Sequence, residues 1–281
     1  MSKADLHIHT TASDGRFSPQ EILAAAKAAG LSTIALTDHD TIDGLLQLIE
    51  SPSWQKSSVK MIPGIEFSTD VPNHEIHILG YHIHLFHEEL TRQLKLLVDD
   101  RIVRAQKMIG KLSDLGYFVS YERVLEIAGD GTAIGRPHIA RALLEKKYFS
   151  TISEVFDKVL HTNGPAYVSH YKMTPQEAID LIHQSGGIAV IAHPAMVYDD
   201  ALVEQVIKAG IDGLEVYHPA HRVEDVKKYK KLAEEYGLLQ TGGSDFHGIP
   251  GRFPEKLGIF MIEESLAEQL PVNFLNHSLN L

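Results

Sequence analysis

Short apolar runs alternate with helical patterns along most of the chain. The runs Asp5–His9, Thr33–Thr37, Lys60–Glu66, Ile76–Leu85, Ile188–Ala192, Gly213–Tyr217, Leu238–Gly242 and Leu257–Ile262 are short, apolar and β-branched, and Gly or polar residues bound them. That pattern predicts strands. Between them the helices have legible ends. Ser18-Pro19-Gln20-Glu21 is a capping box with Pro in the first turn, and Gly30 closes that helix. Thr174-Pro175-Gln176-Glu177 repeats the device, with Gly186-Gly187 at the end. Asp199–Ala209 stops at Gly210, and Val223–Tyr236 stops at Gly237. Repeated strand–helix units with near-continuous apolar strands predict a parallel sheet covered by helices.

The rhythm breaks between about residues 100 and 168. Arg101–Leu115, Tyr121–Ala128, Pro137–Lys146 and Ile152–Leu160 all read as helices with no strand between them. We take residues 1–98 and 169–281 as the α/β core and residues 99–168 as an all-helical insertion.

Composition narrows the chemistry. The 281 residues include no cysteine, which removes disulfides, thiolate metal sites and thiol nucleophiles together. Any metal must then be held by His, carboxylate and water. The formal net charge of -11 disfavours broad binding to duplex nucleic acid, and favours a small phosphorylated substrate gripped by a few arginines. The N-terminal stretch lacks the apolar run of a signal peptide, and no run is long enough to span a bilayer. A cytoplasmic protein without an obligate protein partner is the expectation.

His7 and His9 stand two apart on a predicted strand, so both point to one face. An isolated pair of this kind is more often a bland strand feature than a chelate. The rest of the chain changes that balance. Asp14 follows the first strand, His39 the second, and Glu66 ends the third. His77 lies in the fourth apolar run, His193 follows the fifth, Glu215 to His218 ends the next, and Asp245 and His247 follow the one after. In a parallel barrel the C-terminal strand ends surround one mouth, where active sites sit. The candidate ligands His7, His9, Asp14, His39, Glu66, His77, His193, Asp245 and His247 exceed what one metal needs. Two or three divalent ions sharing a carboxylate fit better, and such clusters suit phosphoryl chemistry. The mixture of donors accepts Mn, with Fe, Zn or Mg as alternatives.

These motifs, Asp5-Leu6-His7-Ile8-His9-Thr10, Asp14-Gly15, Thr37-Asp38-His39-Asp40, Gly64-Ile65-Glu66, His77, Ala192-His193-Pro194 and Gly243-Ser244-Asp245-Phe246-His247, resemble those of the polymerase and histidinol phosphatase (PHP) superfamily, in its order and over nearly the whole chain. The resemblance implies a distorted (β/α)7 TIM-like barrel with a trinuclear metal centre at its mouth. It also implies a grouping: His7, His9, Glu66 and Asp245 on one ion, Glu66, His77 and His193 on the second, and Asp14, His39 and His247 on the third. Gly135-Arg136-Pro137-His138-Ile139-Ala140-Arg141 and Pro165-Ala166-Tyr167-Val168-Ser169-His170 resemble the subgroup with nucleoside 3',5'-bisphosphate phosphatase and short-RNA 5'-exonuclease activity. There the insertion caps the barrel, which makes Arg136, His138, Arg141, Ser169 and His170 candidate phosphate-binding residues. The segment Glu215 to His221 is richer in His than expected of the nucleotide phosphatases.

The expected reaction is hydrolysis of a phosphomonoester, the 3'-phosphate of a nucleoside 3',5'-bisphosphate, by a hydroxide generated between metals. His193 or His218 would assist the leaving oxygen. The rivals are a 5'-3' exonuclease on short oligoribonucleotides, a histidinol phosphatase and a non-catalytic metal-binding module.

Overall fold

The computed structural model describes residues 3–71, 74–129, 134–169 and 173–270. Its strands are β1 (Lys3–Ile8), β2 (Leu31–Leu36), β3 (Lys60–Val71), β4 (His74–Tyr81), β5 (Ile188–Ile191), β6 (Gly213–Tyr217), β7 (Leu239–Gly242) and β8 (Ile262–Glu263). They form one sheet in the order β7-β6-β5-β4-β3-β2-β1-β8. The segment after β7 bends back onto β1: Ile8 bridges Phe246 in parallel, and His9 N donates to Phe246 O at 3.0 Å. The sheet is therefore a nearly closed barrel.

Helices α1 (Pro19–Ala29), α2 (Asp43–Ile49) and α3 (Pro52–Gln55) flank the first strands. The helices α4 (Glu88–Asp114), α5 (Tyr121–Ala128), α6 (Arg136–Glu145) and α7 (Ile152–Val155) lie in and around the interruption, and α8 (Pro175–Gln184), α9 (Asp200–Lys208), α10 (Val223–Tyr236) and α11 (Glu264–Glu268) complete the chain. Both predicted capping boxes form, Ser18 with Glu21 and Thr174 with Glu177. Strand residues such as Ile34, Leu36, Ile78 and Leu214 pack outward against helix residues such as Ile22, Ala26, Ile182 and Val206. Ala4, Leu6, Ala35, Leu79, Tyr81 and Val190 form a separate cluster inside. Among the described residues no helix is long and apolar enough to cross a membrane.

Four expectations need correction. The sheet is not all parallel, because β4 runs antiparallel to both β3 and β5. The link from Val71 to His74 is too short for a crossover, so β4 must fold straight back. Leu257–Ile262 is not a strand over its length. Gly258 takes φ of 89° in a turn, and only Ile262–Glu263 pairs, antiparallel to β1. The first helix of the interruption starts at Glu88 rather than Arg101. Its Leu90, Leu94 and Leu97 pack on the barrel's outer core, whereas Ala105, Met108 and Leu112 belong to a second cluster with Val124, Ile139 and Leu143. One continuous helix thus serves two cores. The Ile152–Leu160 helix also divides, into α7 and a π turn over Phe156–Leu160.

Candidate metal centre

The mouth is assembled by local backbone features. A register shift in β1 between Asp5 and Ile8 leaves Ile8 paired with Leu36 on the outer face. His7 and His9 then share the opposite face, with Nε2 atoms 3.1 Å apart. The chain after β7 approaches them so closely that a Cβ on Gly243 would lie 2.3 Å from that of His7. Only glycine fits there. Because β4 is antiparallel, its N-terminal half reaches the mouth, and His77 arrives there from the start of its strand rather than the end. Asp40, His193 and Asp245 all adopt positive φ (52°, 29° and 50°), a conformation concentrated at functional sites.

Glu66 sits at the centre, with no exposure to solvent. Its Oε2 lies 3.2 Å from His7 Nε2, 3.1 Å from His9 Nε2 and 3.1 Å from His39 Nδ1. Its Oε1 accepts from His77 Nδ1 at 2.8 Å and lies 3.2 Å from His193 Nε2. Asp245 Oδ1 is 3.2 Å from His9 Nε2 and 3.5 Å from His7 Nε2. His247 Nε2 is 3.2 Å from Asp14 Oδ1. Among the described residues, three sets have the spacing to hold a metal ion: His7, His9, Glu66 and Asp245; His9, Asp14, His39 and His247; and His39, Glu66 and His77. His39 falls in two of these sets, and His193 approaches the third through Glu66.

The donor chemistry fits metals. Glu66 Oε2, His39 Nδ1, His9 Nδ1 and Asp14 Oδ1 are buried without a hydrogen-bond partner among the described residues. Uncompensated buried polar atoms are costly, and a cation satisfies them. The field points the same way. Burial opposes protonation of His7, yet the carboxylates of Glu215, Glu66 and Asp245 outweigh it and hold its pKa well above the ordinary value. Burial is likewise overcome at His9, raised to about 9 by Asp245 and Glu66, and at His77, raised to about 10 by Glu66 and Glu75. His39 goes the other way, to about 3, because burial dominates there. Burial is outweighed at Asp14, Glu66 and Asp245 by the surrounding imidazoles, which hold all three well below the usual carboxylate range.

Beside the cluster lies a cavity of about 180 Å³. Asp14, His39 and His77 line it together with Arg101, Arg104 and Arg136, and so does Glu75, 3.6 Å from the Arg136 guanidinium. Arg101 also pairs with Asp40, tying α4 to the loop after β2. The Arg136 guanidinium lies 5.6 Å from the Phe156 ring and 5.8 Å from the Tyr167 ring, and Arg104 Nε donates to Val168 O at 2.7 Å.

A PHP domain model matches residues 5–236. The chain belongs to the PHP domain family. It is 33% identical over 264 residues to the 3',5'-nucleoside bisphosphate phosphatase of Chromobacterium violaceum, covering 92% of this chain and 91% of that one. It is 35% identical over 249 residues to the 5'-3' exoribonuclease Rnm of Salmonella typhimurium, covering 86% and 84%. A protein of Bifidobacterium adolescentis, provisionally named a metal-dependent phosphoesterase, has the same fold, with a TM-score of 0.85, 26% identity and 97% of both chains covered. These relatives are phosphoric ester hydrolases by name, and the barrel with surrounding helices is the PHP phosphoesterase architecture.

The other expected site residues scatter around the PHP mouth. His218 is buried at its edge, with Nε2 3.6 Å from Asp245 Oδ2. Its Nδ1 accepts from Ala220 N at 3.1 Å, which in the neutral ring leaves the proton on Nε2. His138 does not face the arginine cavity. Its Nδ1 accepts from Gly135 N as a helix cap, and it lines a different cavity with Arg141. Ser169 is exposed, beside Lys107 and Lys111. His170 lies outside the described residues. His221 is a brace: its Nδ1 donates to Val216 O at 2.9 Å.

Sequence reasoning passed over Arg101, Arg104, Arg252 and the role of Glu215. Arg252 donates to Asp245 Oδ2 at 2.6 Å. Glu215 is fully buried, accepting from His7 Nδ1 at 3.0 Å and from His193 N at 2.8 Å. The available signal was a lone carboxylate within the apolar run Gly213–Tyr217. By engaging Nδ1, Glu215 leaves His7 Nε2 directed at the cluster. Glu215→Gln places an amide N–H against a donor and removes the charge behind His7. Metal affinity is expected to fall roughly 10- to 100-fold. Calorimetric metal titration checks this, and an unchanged affinity would remove Glu215 from the orienting role.

Proposed function

We propose that this protein hydrolyses the 3'-phosphate of a nucleoside 3',5'-bisphosphate. The observation that carries the reading is a single cavity lined both by the metal-competent Asp14, His39 and His77 and by three guanidinium groups, one of them, Arg136, 3.6 Å from Glu75. A substrate with two phosphates matches that double lining. His7, His9, Glu66 and Asp245 would hold one ion, Glu66, His77 and His193 a second, and Asp14, His39 and His247 a third. Mn is the proposed metal, with Fe, Zn or Mg as substitutes. When bound, the ions activate water and neutralise charge on the phosphoryl oxygens.

The chain's own groups do the rest. Arg136, Arg104 and Arg101 bind the 5'-phosphate by charge-assisted hydrogen bonds and so orient the 3' end toward the cluster. His218 presents Nε2–H at the edge of the cluster and protonates the leaving 3' oxygen. Residues 99–168 act as a cap that excludes water from the cavity. A cytoplasmic location agrees with a nucleotide substrate.

Purified protein with Mn and adenosine 3',5'-bisphosphate is expected to release inorganic phosphate and adenosine 5'-monophosphate. No release there, alongside turnover of histidinol phosphate, would sink the substrate assignment. Arg136→Ala should raise KM for the bisphosphate roughly 10- to 100-fold, the worth of one hydrogen-bonded charge, with a smaller change in kcat. An unaltered KM would remove Arg136 from the phosphate site. A second reading, exonuclease action on short oligoribonucleotides, is supported by the 35% identity to the exoribonuclease.

A further inference from the structure

A second basic cavity lies on the other side of the loop that carries Asp14. It measures about 420 Å³ and is lined by Thr11, Ser13, Arg16, Gln47, His138 and Arg141, among others. Ser13 lines both this cavity and the one holding Arg101, Arg104 and Arg136, so the two are separated by little more than the Ser13–Asp14 segment. Among the described residues no carboxylate lines the second cavity. Among the described residues, neither the Arg16 nor the Arg141 side chain has a hydrogen-bond or ion-pair partner, although the chain carries a net charge of -11. Burial disfavours the charge on Arg141, the nearby Arg16 guanidinium disfavours it further, and Glu145 offsets part of this. The one carboxylate that acts on Arg141, Glu145, is itself held by Arg123 through both oxygens, so two like charges gathered in a polar hollow keep capacity for an anion.

We propose that this cavity is a second phosphate subsite, one that takes the downstream phosphodiester of a short single-stranded oligonucleotide. The proposal rests on the phosphoesterase reading above and extends it. With the 5'-terminal phosphate among Arg101, Arg104 and Arg136, the first internucleotide phosphorus sits at the cluster beside Asp14. The chain then continues past Ser13, and its next phosphate meets Arg16 and Arg141. In the reaction the oxygen of water bonds to that phosphorus, and the bond from phosphorus to the 3' oxygen of the first nucleotide breaks. That oxygen takes a proton of the water, through His218, and leaves as the hydroxyl of a 5'-mononucleotide. The phosphate stays on the 5' end of the shortened chain. A bisphosphate has no second nucleotide and leaves the subsite unused. Sequence preference is expected to be weak, because the subsite offers charge rather than base edges.

The test compares adenosine 3',5'-bisphosphate with a 5'-phosphorylated adenosine trinucleotide on the Mn-loaded full-length protein. Arg16 is exposed, so Arg16→Ala should fold, and Arg16→Lys controls for charge. The ratio of kcat/KM for the trinucleotide to that for the bisphosphate is expected to fall about tenfold or more in R16A, as for loss of one charge-assisted contact. The lysine variant should recover part of it, and the loss should shrink at high salt. An unchanged ratio in R16A overturns the subsite, as does wild-type enzyme that hydrolyses the bisphosphate and leaves the trinucleotide intact. Wild-type inactivity on both substrates overturns the phosphoesterase reading instead, and the subsite with it.

Discussion

Glu66→Gln is expected to abolish turnover and to strip metal from the protein. The Glu66 carboxylate touches His7, His9, His39, His77 and His193, and no other carboxylate among the described residues reaches as many histidines of the cluster. The amide keeps the volume but removes the charge that metals on either side would share. Loss of metal-based charge stabilisation costs several kcal/mol, so kcat/KM should fall roughly a thousandfold or more. Elemental analysis of the purified variant should show reduced metal content, with circular dichroism unchanged. A variant that keeps its metals and its activity would remove Glu66 from the centre of the mechanism.

Metal loading of the metal-free protein is expected to raise its thermal midpoint and release protons. Burial is outweighed by neighbouring carboxylates at His9 and His77, so both bind protons at neutral pH, with pKa values of about 9 and about 10. Ions entering the cluster displace those protons. The sign follows: acid opposes loading, and apparent metal affinity rises with pH. Stability rises by mass action, by about 4 kcal/mol when free metal exceeds Kd about a thousandfold. A weakly buffered solution with an indicator dye should acidify as Mn is added, and a melting scan should shift upward. Silence in both measurements would mean that these side chains do not bind the added ion.

Much of the mouth was legible because strand geometry is periodic. His7 and His9 could be placed on one face by alternation alone, and Asp14, His39, Glu66, His193, Asp245 and His247 by their positions at or just after apolar runs. His77 was noticed for its chemistry, but its place at the mouth depends on the reversal of β4. An apolar run reads the same in either direction, so that reversal has no signature in the run itself. Glu215 was obscured for a related reason. Its burial depends on His7, which is far away in the chain. The three arginines of the cavity show the same limit. Arg136 stands in a motif, whereas Arg101 and Arg104 read as the polar stripe of a helix until the fold sets that stripe over the mouth. The motif around Arg136 also suggested a single phosphate site. The turn of α6 instead carries His138 and Arg141 to the far side of the Ser13–Asp14 loop.

The 27-residue helix α4 behaves like an indexed shaft. One end is keyed to the barrel by Leu90, Leu94 and Leu97, and the other to the helical cluster by Ala105, Met108 and Leu112. Arg101 and Arg104 sit between the two keys. Each residue advances a helix by about 1.5 Å and turns it by about 100°. A single residue inserted between Leu97 and Arg101 would leave every side chain chemically intact yet swing both guanidinium groups away from the cavity. Under the proposed function, substrate choice is therefore sensitive to helix phase as well as to residue identity. A change of specificity could arise from an insertion that alters no residue at the mouth.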